Sequence, residues 1–229
     1  IDGSGVLTID QASGKTTEIS SNTAPSGGGI YAESNAATRT EIKGGTISHN
    51  KATSGNAGGV YAYGPLTISG GTISDNETTG NGAGITKSGS GSELTMTGGT
   101  IKDNIATGNT GGILLAGGTS MTMSGGTISG NKAANTAGIH VYNGASFEMT
   151  GGSITSNEAT SAYGGAMTLS SAGTNTATVT GGSITGNEAT THSGAIYVAA
   201  GSDKDADEQN VLTVGGTATI QNNTQGSNS

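Results

Sequence analysis

The chain has no cysteine, no tryptophan, one phenylalanine and two prolines among its 229 residues. Without cysteine neither a disulfide nor a thiolate metal site can form, so stability has to come from packing and hydrogen bonding, and the redox compartment stays open. Charge is scarce as well. Only 10% of residues are Asp, Glu, Lys or Arg, 16 acidic against 8 basic, for a net charge of -8, and Arg39 is the lone arginine. No basic stripe exists to neutralise phosphates, which argues against nucleic acid as a partner. No apolar run is long enough to cross a bilayer, so no membrane insertion of this segment is expected. The chain opens in mid-pattern at Ile1 and is expected to be a piece of a longer protein, with residues 1–224 forming one repeat domain and 225–229 a disordered tail.

Glycine is abundant, with 44 residues, and it is placed periodically rather than scattered. Gly44-Gly45-Thr46-Ile47-Ser48-His49-Asn50 returns, with small changes, at Gly70, Gly98, Gly125, Gly151 and Gly181, at intervals of 26 to 30 residues. A repeat of this size means stacked units, none of which can bury a hydrophobic face alone. Each period contains three strand-like runs. The first alternates apolar and polar residues, as in Leu66-Thr67-Ile68-Ser69 and Met121-Thr122-Met123-Ser124, the pattern of a strand with one buried face. The second carries one inward Ile after the Gly-Gly corner. The third follows a pair of small residues, as in Gly58-Gly59-Val60-Tyr61-Ala62 and Ala137-Gly138-Ile139-His140-Val141. Three strands per turn predict an all-β, single-stranded parallel β-helix, right-handed by the preference of parallel crossovers. About eight rungs at ~4.8 Å would make a rod roughly 40 Å long. The Asn closing the second run is expected to sit in a left-handed turn and to stack as a hydrogen-bonded ladder. Lys87, alone among the inward positions of the third run, is expected to curl out to water.

The Gly-Gly-Ile and Ile-x-x-Asn pairing resembles the repeats of chlamydial polymorphic outer-membrane proteins. It is closer still to β-helical repeats in large cell-wall surface proteins of Gram-positive bacteria, within the pectin-lyase-like superfold. That resemblance implies an extracellular, cell-surface location and attachment to host or neighbouring-cell ligands.

Enzymes on such a scaffold need clustered carboxylates. The best candidates, Asp75 and Asp103 with Glu77 nearby, have only Lys102 as a basic neighbour, so a non-enzyme is expected, with a carbohydrate-active enzyme as the alternative. His49, His140 and His192 lack metal-ligand spacing and read as solvated. Asp203, Asp205 and Asp207 alternate like a calcium loop but lack its glycine and distal glutamate, so no metal and no cofactor is expected. Outward Thr rows resemble ice-binding β-helices, but Glu41, Lys43, Lys102 and Glu148 interrupt them. The third run differs from the other two. Tyr31, Tyr61, Leu114, His140 and Tyr197 occupy its outward positions, Tyr63 and Tyr142 follow two residues on, and Tyr163 leads into it. Tyrosine is enriched at interfaces, so this stripe is the expected ligand-binding surface of a monomeric adhesion module for a glycoprotein, mucin glycan or immunoglobulin. A passive stalk is the remaining reading.

Overall fold

The computed structural model describes residues 5–33, 38–170, 173–200 and 209–226. Strands of two to four residues wind into a parallel β-helix whose sheets A, B, C and D contain eight, eight, eight and seven strands. Among the described residues seven rungs carry all four strands and the last carries three. The fourth rung is representative: Glu93–Met96 in sheet A, Thr100–Lys102 in B, Ile105–Ala106 in C and Ile113–Ala116 in D. Every pairing is parallel and in register, so like residues stack on like.

Four strands per rung replace the three expected from the sequence. The extra one is the two-residue strand of sheet C, just after the turn Asn, and it holds Glu77, Glu158 and Glu188. Its outward residues are mostly charged, interrupted by the exposed Ile105, with Lys51 Nζ 3.0 Å from Glu77 and Lys132 Nζ 2.8 Å from Glu158. Its inward residues are small, Ala52, Ala106, Ala133, Ala159 and Ala189, and all are buried. The pairing also extends past residue 224: Thr224–Gln225 is a sheet C strand and Gln225 Nε2 donates to the Thr191 carbonyl at 2.8 Å.

The repeat motif has a steric explanation. A Cβ on the first glycine of the corner would lie 2.4 Å from a carbonyl of the preceding rung at Gly98 and Gly125. The second glycine has positive φ, 77° at Gly99 and 86° at Gly126, which side chains resist. Both glycines are therefore required at once. Inward Ile47, Ile73, Ile101, Ile128, Ile154 and Ile184 form an unbroken, fully buried column, each worth about 1.5–3 kcal/mol.

The turn Asn column differs from expectation in one respect. The left-handed residue is the one before it, with φ of 55° at His49 and Asp75 and 54° at Asp103. The Asn side chain itself points inward and forms the ladder. Asn104 Oδ1 accepts from the amide N and Nδ2 of Asn76 at 3.1 and 2.9 Å, while Asn104 Nδ2 donates to Asn131 Oδ1 at 2.9 Å and to the Ile73 carbonyl at 3.1 Å. Asn50, Asn76, Asn131, Asn157 and Asn187 repeat the pattern. Each buried amide thus uses both donor hydrogens and both acceptor sites, which removes the cost of burying it.

Lys87 does not curl out. It is 0% exposed, and its ammonium donates to the carbonyls of Tyr63 at 3.0 Å and Ser88 at 2.9 Å and to Ser92 Oγ. Three acceptors take the place of water, and burial still holds the amine down at about 8.

Candidate functional site: the outer face of sheet D

Sheet D brings Tyr31, Tyr61, Thr86, Leu114, His140, Thr168 and Tyr197 into one outward column by register alone. The column is not a continuous exposed stripe. Its central residues are covered, Leu114 at 7% and His140 at 8% exposure, because the connections from sheet C to sheet D fold across the outside of the sheet. Thr86 Oγ1 donates to the Asn81 carbonyl at 3.0 Å, and Thr136 Oγ1 to Thr168 Oγ1 at 2.9 Å, tying those connections down. His140 is therefore not solvated. Thr110 Oγ1 lies 3.3 Å from its Nδ1 and Ser170 Oγ 2.7 Å from its Nε2, and burial lowers its titration to about 4, so the ring is neutral at physiological pH.

The tyrosines separate into groups along the rod. Tyr31, Tyr61 and Tyr63 cluster near the first rungs, with the Tyr61 ring 5.1 Å from each neighbour. Burial and the bond to Tyr63 push the Tyr61 phenol up, and burial beside Tyr63 raises Tyr31 too. Tyr163 stacks on Tyr197 at 5.1 Å and 19°, with His192 against both, near the far end. Between the groups stands Tyr142, 37% exposed, its ring 5.2 Å from His140.

Beside Tyr142 opens a cleft of about 240 Å³. Leu114, Ala116, His140 and Tyr142 form one side, and Asn56, Asn81 and Asn109 the other. These asparagines were not singled out from the sequence. They form a second ladder, on the C-to-D connections: Asn56 Oδ1 accepts from the amide N and Nδ2 of Asn81 at 2.9 and 3.1 Å, Asn81 Oδ1 from the amide N of Asn109 at 3.1 Å, and Asn109 Oδ1 from Asn135 Nδ2. The signal was present in the repeated pairs Gly55-Asn56, Gly80-Asn81 and Gly108-Asn109, overshadowed by the stronger Gly-Gly-Thr-Ile motif. The Asn109 side-chain Nδ2 has no hydrogen bond among the described residues, and Asn109 lines the cleft.

A larger depression, about 360 Å³, lies over sheet A among Thr122, Ser146, Glu148 and Thr178. It has no outward aromatic ring, and hydroxyls and a carboxylate are well served by water. The acidic trio does not converge on it. Asp75 and Asp103 occupy the left-handed turn position shared by every rung, Asp103 contacts Lys102 at 3.1 Å, and Glu77 pairs with Lys51. Among the described residues, no three His, Asp or Glu side chains gather as a metal site would require, and Asp203, Asp205 and Asp207 lie outside the described residues.

Residues 1–154 match the family profile described as a right handed beta helix region. The chain belongs to the right-handed β-helix family. The handedness expected from the crossover preference is that of the family. No curated protein and no solved structure matches the chain significantly. Membership establishes the scaffold, and activity has to be argued from the site.

Proposed function

We propose that this β-helix is a non-enzymatic binding module of a bacterial cell-surface protein, acting outside the cell as a monomer and attaching to a host or neighbouring-cell macromolecule. The observation that carries this reading is the cleft beside Tyr142, where an exposed aromatic ring, aliphatic carbons and the amides of Asn56, Asn81 and Asn109 meet on one face of the rod. Tyrosine offers a large contact area with little side-chain entropy to lose, the property that makes it common in binding surfaces. A rigid in-register scaffold supports it, so ordering the site on binding costs little. Dispersed and paired carboxylates support the non-catalytic side of the reading, since Glu77 and Asp103 are held in ion pairs with Lys51 and Lys102 and neither lines the cleft beside Tyr142.

The test is binding to arrayed mucins, serum glycoproteins and immunoglobulins by wild type, by Tyr142→Ala and by Thr95→Ala/Thr122→Ala on sheet A. Loss of about tenfold in affinity for Tyr142→Ala alone supports the module. Equal binding by all three assigns the rod a spacing role. New reducing ends from pectin, uronates or mucin glycans, lost in Asp75→Asn or Asp103→Asn, would reverse the non-enzymatic reading.

A further inference from the structure

We infer that the cleft between Tyr142 and the outer asparagine ladder is a subsite for an uncharged oligosaccharide laid along the rod axis, with Tyr142 as the stacking platform and Asn109 as the polar reader. The inference rests on the binding-module reading and names its ligand class.

Three features of the cleft select that class. First, every lining side chain is neutral: amides, aliphatic carbons, a phenol and an imidazole that burial keeps unprotonated. A ligand carrying carboxylate, sulfate or ammonium groups would lose hydration on entry and meet no opposite charge in return. Second, the two walls differ in kind. A pyranose ring presents a face of C–H groups and an equatorial rim of hydroxyls, and the cleft offers an aromatic ring on one side and amides on the other. Amides both donate and accept, as hydroxyls do, and Asn109 has a donor to spare. Third, the polar wall repeats. Asn56, Asn81 and Asn109 recur once per rung, ~4.8 Å apart along the axis, a spacing close to the advance of one sugar residue in an extended chain. The volume of about 240 Å³ is below the ~300–1,000 Å³ of pockets that enclose drug-sized ligands, which suits a short stretch of a chain continuing beyond both ends.

An extended peptide fits less well. Peptides lying on β structure gain affinity by adding a strand to a sheet edge. The cleft lies on the face of sheet D, where the backbone groups of Ile113–Ala116 and Ile139–Tyr142 are already engaged with neighbouring rungs. The sheet offers no edge here.

The experiment is saturation-transfer NMR and calorimetry with the whole chain. The probes are short neutral oligosaccharides of glucose, galactose, mannose and N-acetylglucosamine, set against oligogalacturonate and an uncharged Ser/Gly/Asn peptide. The expected result is binding of at least one neutral oligosaccharide, unchanged by added salt. Tyr142→Ala should reduce its affinity about tenfold or more, Tyr142→Phe by no more than about threefold, and Asn109→Ala several-fold, with unfolding midpoints preserved. Failure of every neutral sugar, equal or tighter binding of oligogalacturonate or of the peptide, or indifference to Tyr142→Ala would overturn the assignment. If the sugars fail while a purified arrayed glycoprotein still depends on Tyr142, the ligand class is wrong and the binding module stands. If nothing depends on Tyr142, both fall.

Discussion

Asn104 and Asn109 belong to the same rung, and each stacks on counterparts in the rungs on either side, yet their surroundings differ completely. The inner ladder through Asn104 is sealed, with every amide hydrogen and acceptor site committed. The outer ladder through Asn109 is held by fewer bonds, runs with the opposite donor direction, and turns one side to the cleft. The difference teaches that periodicity alone does not separate a structural column from a binding wall. Unused hydrogen-bonding capacity at a solvent-accessible position does.

The harshest break of this comparison comes from the core behind the inner ladder. The Ile128 carbonyl accepts from Asn157 Nδ2, and the Ile128 side chain is fully buried between Ile101 and Ile154. Ile128→Asp places an uncompensated carboxylate there, and cooperative unfolding, followed by far-UV circular dichroism, should be lost. Next in size is Asn104→Ala, which strands the backbone N–H of Asn76 and one of its two Nδ2 hydrogens, the other staying on the Ile47 carbonyl. At about 1–3 kcal/mol for each buried unsatisfied group, chemical denaturation should register a loss of roughly 3 kcal/mol or more. A loss below about 1 kcal/mol would mean that water or a shifted neighbour repairs the ladder.

Sheets A and B, the core column and the inner ladder were legible because each rests on a period that a strand-length window captures. Leu94-Thr95-Met96 and its stacked counterparts state their buried face outright. Sheet C was not legible, because two residues such as Lys51-Ala52 are too short to show alternation, and a charge after a turn reads as a loop. Tyr31, Tyr61 and Tyr197 share the outward column that the sequence predicts, but the covering of Leu114 and His140 was hidden. It depends on how the C-to-D connections fold back, which sequence spacing does not encode. Lys87 failed for a related reason: its acceptors are the Tyr63 and Ser88 carbonyls and Ser92 Oγ, and only the folded chain gathers them.

Those two buried groups allow a smaller test, read as stability against pH. Lys87 titrates at about 8 when folded and near 10.5 when unfolded, so from pH 8 upward the unfolded chain holds more protons than the folded one. Stability should therefore rise between pH 8 and 9.5 by about 1–2 kcal/mol, and Lys87→Met should flatten that rise. Above pH 10 the raised phenols of Tyr61 and Tyr31 act in the opposite sense, since the unfolded chain loses those protons first, and stability should fall. On the acid side His140 titrates at about 4 against 6.5 unfolded, so stability should decline as pH falls from 6.5 towards 4, less steeply in His140→Gln. A flat profile between pH 8 and 9.5 in wild type would mean that the Lys87 ammonium reaches water.

The smallest expected effect on stability is at the outer ladder, and it is the one that separates the two columns most sharply. Asn109→Ala keeps the backbone bond from its amide N to Asn81 Oδ1 and removes only the side-chain acceptor that Asn135 uses at an exposed position. Asn135 can turn to water instead, so the unfolding free energy should change by less than about 0.5 kcal/mol, several times less than for Asn104→Ala. The unfolding midpoint and the affinity for a neutral oligosaccharide should then move independently: the first nearly fixed, the second several-fold weaker. Should Asn109→Ala cost as much stability as Asn104→Ala, the outer column is a second structural spine and the contrast between the ladders disappears. Should it alter neither stability nor binding, the cleft is read by Tyr142 alone.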